Sequence, residues 1–117
     1  MKITGEAKLL RIFIGESDKI GSTSLHEKIV VEARSAGLAG ATVHRGIMGF
    51  GGNSRIHTSK ILRLSEDLPI IVEIVDEANK IKEFVEIINT LFDEAKCGGL
   101  ITIEKADIIR YVSNSNR

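Results

Sequence analysis

The alternation of apolar and polar positions outlines the chain before any single residue is considered. Residues 7–14 form an apolar run with β-branched and aromatic side chains, the make-up of a buried central strand. Residues 15–21 are a polar connection. Ser24 and Glu27 then have the spacing of a capping box and predict a helix start. Leu25, Ile29, Ala33 and Ala36 lie along one side of that helix, and Gly37 stops it. A second strand is expected over residues 40–48, leading into a glycine-rich stretch. Residues 56–64 return as a β-arm, and Ser65, Glu66, Asp67, Leu68 and Pro69 make a turn.

A third apolar run at residues 70–75 predicts another core strand, with Asp76 placed to cap the helix that follows. In that helix Ile81, Phe84, Val85, Ile88, Leu91 and Phe92 form an apolar stripe of helical period, closed by Cys97, Gly98 and Gly99. Residues 100–111 read as the last strand and residues 112–117 as a polar tail. The order β-α-β-(arm)-β-α-β predicts the α+β class. It fits a ferredoxin-like βαββαβ sandwich, an antiparallel sheet with two helices on one face. Such a sheet keeps its other face uncovered. Ile12, Val43, Val72 and Ile101, or their out-of-phase neighbours, then need a cover, and oligomerisation is the economical one.

Composition narrows the class. At 117 residues, 43% hydrophobic and with one proline, the chain is expected to be one ordered domain over residues 1–117. Sixteen acidic and sixteen basic residues give a formal charge of zero, which argues against a nucleic-acid binder. No apolar run approaches the roughly 20 residues that cross a bilayer. Glu6, Lys8 and Arg11 interrupt the place where a signal peptide keeps its apolar core. A cytoplasmic protein without membrane insertion is expected. The single Cys97 excludes an internal disulfide and suits a reducing compartment. Glutamine and tryptophan are absent while isoleucine, lysine and glutamate abound, which resembles thermophile usage.

The chemistry concentrates in one stretch. Gly46, Gly49, Gly51 and Gly52 fall within seven residues, interleaved with Ile47, Met48 and Phe50. Glycine admits positive φ and close approach, so such a run can aim several N–H groups at an anion. Arg45, Arg55, Lys60 and Arg63 surround it, and Arg45 directly precedes the turn. A phosphate-binding loop is the expectation, set against a plain hairpin tip flanked by solvated charges. His26, His44 and His57 lie on three different elements without the spacing of a zinc site, so no metal site is expected from them. Glu66 and Asp67 are adjacent and point apart, and Asp76 is better placed as a cap. Nothing pairs a nucleophile with a base, so the chain is expected not to be an enzyme.

Four motifs carry a resemblance. Residues 37–43 (GLAGATV), 45–51 (RGIMGFG), 64–69 (LSEDLP) and the pair Val75-Asp76 resemble, in order, the uncharacterised bacterial and archaeal family described as PII-like. The likeness runs from about Lys8 to Ile109. It implies a ferredoxin-like subunit in a homotrimer, as in the PII signalling proteins and the copper-tolerance CutA trimers. PII proteins bind ATP or ADP in clefts between subunits and signal by rearranging a long loop to regulate a protein partner. The resemblance places Gly49, Phe50 and Gly51 at the start of that loop, beside the phosphates. It places Gly98 and Gly99 in the opposing phosphate-side turn, while Arg45 and Arg110 contribute charge. Leu100 stands where PII proteins have a lysine. The resemblance thus implies an adenine-nucleotide sensor with a loop over about residues 49–64. A ligand-free trimeric interaction module and a CutA-like metal-binding trimer are the alternatives.

Overall fold

The structure, a computed structural model, describes residues 6–52, 56–58 and 67–113. Arg55, Lys60, Arg63, Ser65 and Glu66, and most of the expected return arm, lie outside the described residues.

The long apolar runs form the strands. β1 (Ala7–Gly15) leads through a short hairpin, β2 (Lys19–Ile20) and β3 (Thr23–Ser24), into α1 (Leu25–Ser35). β4 (Thr42–Arg45) follows, then the small pair β5 (Met48–Gly49) and β6 (His57–Thr58). The last three elements are β7 (Pro69–Glu77), α2 (Ala78–Ala95) and β8 (Leu100–Ala106). The main sheet has the order β4-β7-β1-β8 and every pairing in it is antiparallel. With both helices against one face, this is the expected ferredoxin-like sandwich.

Alternation decides what each face carries. Leu10, Ile12 and Ile14 of β1 lie opposite Ile74, Val72 and Ile70 of β7, and all six are buried. Beneath α1 and α2 they meet Leu25, Ile29, Ala33, Ile81, Phe84, Ile88 and Leu91 in one cluster. Each of these side chains larger than alanine contributes on the order of 1.5–3 kcal/mol. The out-of-phase set, Leu9, Arg11 and Phe13 with Val75, Glu73 and Ile71, points to the helix-free face. Ile12 and Val72 therefore belong to the core, and their neighbours are the residues left uncovered.

Several boundaries differ from the expected ones for identifiable reasons. β8 stops at Ala106, not Tyr111, because Ala106 pairs with Ala7, where β1 begins. β4 spans four residues of the expected nine. Before it, the Ala39 N–H donates to Asp76 Oδ2 at 2.8 Å; after it, the Gly46 N–H donates to Pro69 O at 2.7 Å. Pro69 has no N–H to return, so the ladder ends there. Asp76 is not a helix cap. It is the buried penultimate residue of β7, Glu77 is the N-cap, and the Asp76 carboxylate accepts the Ala39 and Glu77 N–H groups. Ser24 is the N-cap of α1 but its hydroxyl makes no capping bond, and the Leu25 N–H donates instead to Asp18 O at 2.8 Å. Ala36 follows the helix end and is exposed. The left-handed residue that closes α2 is Lys96, at φ 54°, ahead of Gly98 and Gly99.

Candidate functional site

Register fixes where the candidate residues lie. Arg45 pairs with Ile70, Gly15 with Pro69 and Phe13 with Leu100. The exit of β4 and the entry to β8 are thus at one end of the sheet, and Arg45, Gly49, Gly98 and Gly99 gather at that end. They occupy opposite edges of it, since β4 and β8 are the outer strands. Three strand spacings, roughly 14 Å, separate those edges.

The turn after β4 is built on Pro69. A Cβ on Gly49 would come within 2.9 Å of Pro69 Cγ, and one on Gly46 within 3.2 Å of Pro69 Cβ. Phe50 and Gly51 extend beyond this platform and are exposed. At the other edge, a Cβ on Gly99 would meet the Phe92 ring at 2.7 Å and the Phe13 carbonyl oxygen at 2.9 Å, whereas Gly98 has open space around it. Gly99 is required by packing. Gly98 and Gly51 are not.

Arg45 is already engaged. Its Nε donates to Glu16 Oε2 at 2.9 Å and its Nη2 to Glu16 Oε1 at 3.1 Å, a two-point fork on one carboxylate. Glu16 belongs to a turn that also holds the strand leaving the loop. The Glu16 N–H donates to Leu68 O at 2.9 Å, the Ser17 N–H to Asp67 Oδ1 at 2.9 Å, and the Gly15 N–H to Asp18 Oδ2 at 2.8 Å. Burial, with the nearby Asp67 charge, raises the Asp18 carboxyl above its ordinary range. Burial also pushes the Cys97 thiol up, away from thiolate chemistry.

The helix-free face carries a feature that pattern reasoning missed. Arg11 Nε donates to Glu73 Oε2 at 2.8 Å, Arg11 Nη1 donates to Glu104, and His44 Nε2 lies 2.7 Å from Glu73 Oε1. The hydrogen bond from Arg11, then that from His44, holds the Glu73 carboxyl below the usual range. Leu9, Phe13, Ile71, Val75 and Leu100 share this face with the network. The signal was present: Arg11 stands between apolar neighbours in the first strand run, and Glu73 is the single charge of residues 70–75.

Arg110 is at the far end. Residues 107–111 leave β8 beside Ala7 and cross to the β4 side, where the Tyr111 hydroxyl donates to Ala39 O at 3.3 Å. Under this strap is an open groove of about 680 Å³, lined by Leu9, Gly40, Glu73, Val75, Arg110 and Tyr111 among others. One chain therefore does not bring Arg110 to the glycine turns. His26, His44 and His57 stand on α1, β4 and β6, and no three metal-binding side chains cluster among the described residues. No described helix is long and apolar enough to cross a membrane.

Comparisons with known proteins agree with this architecture. The family model DUF190, described as "Uncharacterized ACR, COG1993", matches residues 7–108. A UPF0166 protein of Aquifex aeolicus (strain VF5) is 40% identical over 102 residues, covering 87% of this chain and 92% of the relative. The UPF0166 protein MJ1524 of Methanocaldococcus jannaschii is 32% identical over 105 residues, covering 90% and 94%. Among solved structures, CPII, a nitrogen regulatory PII-like protein from Thiomonas intermedia K12 bound to ADP, AMP and bicarbonate, superposes with a TM-score of 0.68. It is 16% identical, over 93% of this chain and 94% of that one, a likeness of fold.

Proposed function

This chain belongs to the DUF190 family of uncharacterised proteins, and from its geometry we propose that it is a cytoplasmic, PII-like sensor that binds an adenine nucleotide between subunits of a homotrimer. The observation that carries this reading is the placement of the two glycine turns. They share one end of the sheet but sit at opposite edges, too far apart for one phosphate group within a chain. Side-by-side packing of copies brings the turn after β4 of one subunit to the turn before β8 of the next. The uncovered face, with Leu9, Phe13, Ile71, Val75 and Leu100, gives such an assembly its contact surface. Arg110 is remote from both turns within its own chain and could meet them only from another copy. CPII, which shares the fold, is bound to ADP and AMP in its structure, and ADP or ATP is the ligand class we assign here.

Gly49, Phe50 and Gly51 supply loop backbone to the phosphates, Gly98 and Gly99 the opposing turn, and Arg45 the charge. Occupancy switches the loop and changes the surface offered to a regulated protein partner. The chain performs no catalysis in this account, because its clustered carboxylates are hydrogen-bonded to backbone or paired with arginine and its thiol is pushed up.

A thermal-shift series with ATP, ADP, AMP and divalent metals, each with and without magnesium, tests the proposal. A ligand at a hundred times its Kd adds about 2.7 kcal/mol, so one nucleotide is expected to raise the melting temperature with concentration. No shift at millimolar nucleotide would leave a ligand-free interaction module, and a shift with metal alone a metal-binding trimer.

A further inference from the structure

Arg45 directly precedes the glycine turn, yet the Nε–Nη2 edge of its guanidinium is taken by Glu16. A carboxylate and a phosphate present the same two-oxygen edge to a guanidinium, so they compete for it. We propose that Glu16 is an internal stand-in for phosphate at Arg45, setting how much ligand charge is needed to occupy the site. The nature of the ligand rests on the nucleotide reading above; the competition itself does not.

Three observations carry the assignment. First, the pair is partly exposed, with the Arg45 side chain 60% and the Glu16 side chain 27% accessible. Exposed ion pairs of this kind are weak, so a more highly charged anion displaces the carboxylate. Second, the carboxylate is delivered by a rigid turn. A Cβ on Gly15 would strike Asp67, and the Glu16 and Ser17 N–H groups are bound to Leu68 and Asp67. Third, Glu16 has acidic neighbours in Asp18, on the same turn, and in Asp67, which binds that turn from the residues leading into β7. Losing Arg45 leaves the released carboxylate among like charges, at the point where the chain re-enters the sheet from the loop. Ligand charge is thereby converted into a push on the loop base. ADP, with more phosphate charge than AMP, overcomes Glu16 more readily, which makes Glu16 a specificity-determining residue.

The test titrates inorganic pyrophosphate, ADP and AMP into the full chain and into Glu16→Gln, Arg45→Gln and the double variant, following heat and the Arg45 Nε resonance. Glu16→Gln is expected to tighten pyrophosphate and ADP about two- to fivefold, to tighten AMP by at least as much, and to lose this gain once Arg45→Gln is added. Tightening of pyrophosphate without any ADP binding supports the stand-in and overturns the nucleotide reading. ADP bound equally by wild type and Glu16→Gln, or a gain that persists without Arg45, overturns the stand-in and leaves the nucleotide reading in place. Silence of every probe in every variant overturns both.

Discussion

Arg11 and Glu73 face each other directly across the two central strands, Nε to Oε2 at 2.8 Å, on the side of the sheet that no helix covers. Glu104 and His44 reach the same pair diagonally from the two edge strands. All four strands are thus tied across one face by a single polar network, and the apolar residues around it are left for another surface to cover.

The Glu73 carboxyl is held below its ordinary value of 4.5 by the Arg11 and His44 bonds. A lowered folded-state pKa contributes stability above the unfolded value and loses it as pH falls through the folded value. Melting curves from pH 7 down to pH 3 are expected to show this loss in the wild type at the acid end. Glu73→Gln should be less stable at pH 7 and lack that segment of the pH dependence. Parallel curves for the two proteins would refute the role.

Asp18 behaves oppositely. Its carboxyl is raised above 3.8 by burial, so the charged form costs stability at neutral pH and the cost disappears as pH falls below 3.8. Asp18→Asn keeps an acceptor for the Gly15 N–H and removes the charge, and is expected to match or exceed the wild-type melting temperature at pH 7. Asp18→Ala forfeits the bond and should lose about 1 kcal/mol.

The adjacent glycines separate by function. Gly99→Ala meets the Phe92 ring and an immovable carbonyl oxygen, and should lose about 1–3 kcal/mol by denaturant unfolding. Gly98→Ala has open space and should be close to neutral in stability. Gly51→Val likewise leaves the ligand-free melting temperature near that of the wild type, while removing the shift produced by nucleotide.

Val75 lies opposite Leu9 on the uncovered face. Val75→Asp is expected to leave the subunit folded by circular dichroism but to weaken self-association at least about tenfold, because an interface would bury an unpaired charge. Unchanged sedimentation would place the assembly contact elsewhere.

Periodicity made most of the fold legible. The α2 stripe, with Ile81, Phe84, Ile88 and Leu91 all buried, and the central strands follow from it. What failed was set by distant partners. Asp76 sits between a strand and a helix, where a cap is the local reading, but its acceptor duty is to Ala39, thirty-seven residues away. Ile108 and Ile109 continue an apolar pattern, yet β8 ends where β1 has nothing left to pair with. Gly98 and Gly99 are indistinguishable in sequence, and only Phe92 and Phe13 tell them apart. The glycine turn and Arg45 could be singled out from the chain; the Glu16 fork that occupies Arg45 could not, because it spans twenty-nine residues.

The most direct measurement is native mass spectrometry of the full chain with increasing ADP. Trimers are expected to take up ADP in steps to a limit of one per subunit, with monomers carrying none. ADP bound to monomers, or trimers that stay empty at saturating ADP, would contradict it.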